Sequence, residues 1–144
     1  MVSEPSFEKP NRQRLGYLFA AIITIVIGIV SRVVQTEILI FDKYLGDALY
    51  AVLIYLIFRI TFPRHPILNH AIIAIVLAIA IELFQITGVP TSMRASDNPA
   101  LKLASVVLGT KFAILDIVAY AIGVLIAWRT DVWSIKNRKP DSSS

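Results

Sequence analysis

Apolar residues in this chain run unbroken for a helix's length, instead of forming one stripe per helix or alternating as in a half-buried strand. The first such run, Leu15 to Ser31, carries no charge and is long enough to cross a hydrocarbon layer, so a span is predicted from Leu15 to Val34. A second span is expected from Leu45 to Phe62, where Asp47 and Arg59 fall near opposite ends and Arg59 is expected to snorkel to the headgroups. Pro63 and Pro66 end it. A third runs from Ile67 to Thr87, interrupted only by Glu82 and Gln85 within its apolar body, and stops at Gly88-Val-Pro90. A fourth covers Phe112 to Trp128, with Trp128 and Trp133 suited to the membrane interface.

Between the third and fourth runs, Asp97-Asn98-Pro99 reads as a helix start, with Pro99 at the first helical position. Leu101, Leu103, Ala104, Val107 and Leu108 follow at helical spacing up to Gly109, predicting one short helix at the interface or over the bundle mouth. The fold expected is therefore all-α, a four-transmembrane-helix bundle with a short interfacial helix between spans three and four. Residues 1–14 and 134–144 are expected to be disordered cytoplasmic segments, leaving 15–133 as the membrane domain. The basic Lys9, Arg12 and Arg14 before the first run resemble a signal peptide, but its apolar region is too long and lacks a small-residue cleavage pattern.

Composition agrees: 56% of residues are hydrophobic and only 17% charged, well under the usual share for soluble domains. The absence of cysteine excludes disulfides, thiolate metal sites and thiol catalysis. A net charge of +4 is not a nucleic-acid signature here, because the basic residues collect at the ends of the apolar runs. Nine lie in the N-terminal segment, the Arg59–Arg64 turn and the tail, against five in the alternate loops. That bias predicts that both termini lie in the cytoplasm.

Four ionisable residues then stand out, since charge at membrane depth is costly and commonly marks a site. Arg32, Asp47, Glu82 and Asp116 sit at the same end of the four runs, and Arg94 lies in the loop at that end. Glu82 and Gln85 share a helix face, as do Asp116 and Tyr120. Glu82 lies roughly 7 Å below the end of its span at 1.5 Å per residue. Candidate binding residues are thus Arg32, Asp47, Glu82, Gln85, Arg94, Asp116 and Tyr120. Three readings follow. Pairs of the Arg32–Asp47 and Arg94–Glu82 type lock the helices together. Alternatively, the arginines grip an anionic group of an outer-leaflet amphiphile. In the third, Glu82 and Asp116 serve as catalytic acid and base or as oxygen ligands for a cation. Two arginines beside the acids argue against a metal, and no cofactor is expected. His65 and His70 are expected to be interfacial polar residues, and Gly16, Gly28 and Gly123 close-packing points. No phosphate-binding glycine loop, zinc-protease motif or serine nucleophile elbow is present.

Gly28-Ile-Val-Ser-Arg32, Lys43-Tyr-Leu-Gly-Asp-Ala-Leu-Tyr50, Ile81-Glu-Leu-Phe-Gln85, Arg94-Ala95 and Leu108-Gly-Thr-Lys-Phe-Ala-Ile-Leu-Asp116 occur in order. This set resembles the bacterial membrane family called domain of unknown function 2809. The pattern of Glu82, Gln85, Arg94, Asp116 and Gly123 also resembles the wider VanZ-like family. Ala113-Ile114-Leu115 departs from that family's more polar entry to the last span. The resemblance implies a small multi-pass protein of the bacterial cytoplasmic membrane tied to glycopeptide or envelope response, and implies no activity. The function expected is binding of an anionic or amphiphilic envelope ligand. The alternatives are a small intramembrane enzyme acting on a lipid or lipid-linked precursor through Glu82 and Asp116, and a structural subunit of a larger complex or a homo-oligomer.

Overall fold

The computed structural model describes residues 12–33 and 39–137, with side chains over 13–31 and 44–137. The terminal segments expected to be disordered lie largely outside the described residues, as does the side chain of Arg32. Among the described residues there are six helices and no strand: α1 (Arg12–Val33), α2 (Leu39–Thr61), α3 (Ile67–Ile86), α4 (Val89–Ala95), α5 (Pro99–Leu108) and α6 (Ile114–Lys136). Three of them, α1, α2 and α3, are long and apolar enough to cross a membrane.

Helix α2 is the centre of the bundle, packing against α1, α3 and α6, while α3 also packs on α6. Small residues make this possible. Ala51, Ala74 and Ala78 are fully buried, and Tyr55 and Val124 fill the space beside them. The closest approach is between α2 and α6 at Gly123, where a Cβ would stand 2.4 Å from the backbone oxygen of Ala48. Gly16 and Gly28, by contrast, have nothing within 4 Å of a built Cβ among the described residues, where they are not packing points.

The outside of the bundle is apolar. Phe19, Ile29, Val76, Ile86, Ile114 and Ile126 are all more than half exposed, alongside many other large aliphatic side chains on the long helices. A water-facing surface rarely carries apolar patches beyond a few hundred Å². This surface is the complement of a hydrocarbon environment, as the uninterrupted apolar runs implied.

Several boundaries differ from expectation. Helix α2 starts six residues earlier than Leu45, and α6 continues to Lys136, beyond Trp128. The connection between α3 and α6 holds two short helices, not one. Gly88-Val-Pro90 does end α3, with Gly88 left-handed at φ 75°, but it also opens α4. Pro90 falls in the first turn of α4, where its missing N–H costs nothing. Helix α5 follows the expected plan: the Asn98 side chain accepts a 2.9 Å hydrogen bond from the Ala100 N–H, Pro99 opens the helix, and Gly109 closes it. At the α2–α3 turn, His70 is buried instead of interfacial, its ring nitrogens each 2.9 Å from the carbonyl oxygens of Pro66 and Phe62. His65 is exposed.

Candidate functional site

The up-down course of α2, α3 and α6 places two polar clusters at opposite ends of the bundle. The first is centred on Glu82, whose side chain is completely buried. One carboxylate oxygen accepts the backbone N–H of Ala113 at 2.8 Å, and the other accepts the Tyr120 hydroxyl at 3.0 Å and the Gln85 amide at 3.1 Å. Ala113 is the N-cap of α6 and has no side chain able to cap it. Glu82 therefore performs that task from another helix, satisfying an orphan N–H and meeting the positive end of the α6 dipole. Asp116 is buried in the first turn of the same helix, where a carboxylate is favoured for the same reason.

Gln85 joins the opposite kind of helix end. Its Nε2 donates to the Leu108 carbonyl, the last residue of α5, at 2.8 Å. Its Oε1 is buried and meets no donor among the described residues. Gly109 is required beside it: a Cβ there would sit 2.8 Å from Gln85 Nε2, and the backbone is in a glycine region at φ 76°, ψ 167°. Glu82 and Gln85, one turn apart, thus stitch the end of α3 to the end of α5 and the start of α6.

The remaining expected site residues are placed as follows. Asp47 is partly buried in the third turn of α2, within electrostatic reach of Tyr120, as are Glu82 and Asp116. The structure thus brings Asp47, Glu82, Gln85, Asp116 and Tyr120 to one place. Arg94 is not there. It is exposed in the last turn of α4 and makes no ion pair among the described residues, so the Arg94–Glu82 pairing is not formed. The three donors on Glu82 explain why none is needed. No group of His, Asp or Glu side chains suited to a metal ion occurs among the described residues.

The second cluster was not anticipated. Arg59 does not snorkel; it is buried, with Nε 2.7 Å from Asp131 Oδ2. The same oxygen accepts the Tyr55 hydroxyl at 2.6 Å, and Asp131 Oδ1 accepts the Tyr17 hydroxyl at 2.5 Å. Arg59 Nη2 in turn donates to the Tyr17 oxygen at 2.6 Å, and the guanidinium carbon lies 4.8 Å from the Tyr17 ring centre. One closed network joins α1, α2 and α6. Two signals in the sequence pointed to it: Tyr55 and Arg59 are four apart on one helix face, and Asp131 is an isolated acid amid basic residues.

The architecture defined here is that of an all-helical protein with apolar outer faces and buried polar clusters at both ends. Residues 36–124, more than half of the chain, match the family "Protein of unknown function (DUF2809)", and the chain belongs to that family. No curated protein and no solved structure matches it.

Proposed function

We propose that this is a four-span integral membrane protein whose Glu82 cluster receives the polar head of an amphiphilic envelope ligand. The fourth span is α6. Its 23 residues give it a length of about 35 Å at 1.5 Å per residue. It runs from the Glu82 end to the Arg59 end of the bundle, alongside α2 and α3. Its acids Asp116 and Asp131 are turned inward, while Val118, Ile122, Leu125 and Ile126 face outward. The excess of basic residues at the Arg59 end supports a cytoplasmic placement of both termini, with the Glu82 cluster toward the outer leaflet.

The observation that carries the ligand reading is Gln85 Oε1. A buried carbonyl oxygen with no donor among the described residues is an expensive feature, and a hydroxyl or amino group from a bound head would meet it. Exposed Arg94, one short helix away, is available for an anionic part of the same molecule. The VanZ-like pattern of Glu82, Gln85, Arg94, Asp116 and Gly123 supports an envelope role of this kind. A purely structural reading is favoured by the three donors on Glu82, which already tie α3 to the start of α6. Those donors also leave the Glu82 carboxylate poorly aimed at a substrate, which weighs against the enzymatic alternative.

Native mass spectrometry of protein extracted from a bacterial host in mild detergent separates the two readings. The ligand reading expects a defined co-purifying amphiphile on the wild type that is lost in a folded Gln85→Leu variant. Identical adducts on both proteins would leave only the structural role.

A further inference from the structure

Helix α5 is built inside out. Its buried position is Ser105, 1% exposed, whose hydroxyl is satisfied by the Lys102 carbonyl at 2.7 Å. Its exposed positions include Leu103 at 66%, Val106 at 54% and Val107 at 56%. These three are spaced three and four apart and therefore form one face. In water a ten-residue helix gains its stability by burying its apolar face, not its serine. Only α4 and α3 pack against α5, so nothing in the described chain covers that face.

Two further features say what does. Further large apolar side chains are exposed at the same end of the bundle: Leu83 and Ile86 on α3, Phe112 just before α6, and Ile114 and Leu115 in its first turn. Around the α5 face stand exposed Arg94, Lys102 and Lys111, against Asp97 as the single acid between residues 83 and 115. An apolar face at the edge of a hydrocarbon belt, rimmed by cations, is complementary to the boundary between acyl chains and phosphate groups.

We infer that the α4–α5 hairpin is a lipid-binding surface that sinks its Leu103–Val107 face into the acyl boundary and holds anionic phospholipid headgroups with Arg94, Lys102 and Lys111. The inference rests on the membrane placement proposed above, but on none of the ligand chemistry assigned to Gln85. Of the two positions open to this helix, it favours the headgroup layer beside the bundle, with anionic phospholipid as the partner.

The test uses the full chain in lipid nanodiscs. Because the sequence has no cysteine, a single cysteine can be introduced at Leu103 or Val107, with Asp97→Cys as the exposed reference, and labelled with an environment-sensitive fluorophore. Labels at 103 and 107 are expected to be quenched by brominated lipid and shielded from aqueous iodide, with the reverse at 97. Brominated phosphatidylglycerol is expected to quench the 103 label several-fold more effectively than brominated phosphatidylcholine at equal mole fraction. That preference should disappear in the Arg94→Gln, Lys102→Gln, Lys111→Gln variant. Iodide access at 103 equal to that at 97 would overturn the inference. So would brominated-lipid quenching that appears only on dilution of the protein in lipid, since that identifies a second copy of the chain as the cover. A wild type without headgroup preference would overturn the assignment of anionic headgroups. These labels leave the Glu82 cluster untouched, so the result is independent of the Gln85→Leu outcome.

Discussion

Removing the Asp131 carboxylate is expected to be the most damaging single change in the bundle. The side chains of Arg59 and Asp131 are 5% and 4% exposed, so solvent neither screens the pair nor replaces it when one member is lost. Asp131→Ala strands a buried guanidinium and takes the acceptor from the hydroxyls of Tyr17 and Tyr55. Deleting one partner of a buried ion pair costs about 3–5 kcal/mol, much of it the desolvation of the charge left behind. The same reasoning makes a distinctive demand on the double variant. With Arg59→Met and Asp131→Leu together no charge is stranded, and the penalty should fall to about 1–2 kcal/mol, since an apolar replacement of both partners is commonly near neutral. Tyr17→Phe keeps the ring beneath the guanidinium but loses the hydroxyl's hydrogen bonds to both Asp131 and Arg59, for about 2–3 kcal/mol. Reversible unfolding in mixed micelles of mild detergent and dodecyl sulfate, followed by circular dichroism, measures all four proteins. The reasoning fails if Asp131→Ala shifts stability by less than about 0.5 kcal/mol, or if the double variant is no more stable than the single one.

Other substitutions probe the packing and the Glu82 end. Gly123→Ala must push α2 and α6 apart, because the new Cβ would meet the Ala48 oxygen at 2.4 Å; a loss of about 1–3 kcal/mol is expected in the same unfolding assay. Gly109→Ala combines a forbidden backbone region with a contact on Gln85 and should cost about 1–3 kcal/mol, while Gly28→Ala, with open space at its Cβ, should be silent. Glu82→Leu, which strands the Ala113 N–H and the Tyr120 hydroxyl, is expected to lose about 2–3 kcal/mol and to raise amide exchange at the start of α6. Arg94→Ala should leave stability within about 0.5 kcal/mol of wild type, as expected of an exposed side chain without a partner among the described residues.

The two polar ends differed in how far they could be read in advance. Glu82, Gln85, Asp116 and Tyr120 were visible because each interrupts an apolar run and because spacings of three and four put pairs on common faces. What they bind was not visible. The partners of Glu82 include a backbone N–H, a group that every residue carries and no sequence pattern marks. Arg94 was credited to the cluster for its charge and its place in the chain, but the turn of α4 leaves it on the surface. At the other end, Arg59 stood close enough to a span boundary to reach water. Nothing local revealed that α6 continues past Trp128 and delivers Asp131 to it.

By itself the sequence determined the elements: apolar runs of this length form helices, because in apolar surroundings only a helix satisfies its own backbone. Proline, glycine and asparagine set most of their ends through local backbone preferences. The tertiary structure decided which charges meet. Ion pairs and caps are formed between residues such as Arg59 and Asp131, or Glu82 and Ala113, that lie 72 and 31 positions apart. Their geometry depends on helix rotation and length fixed by close contacts such as Gly123 against Ala48, and that information resides in the packing of the whole bundle.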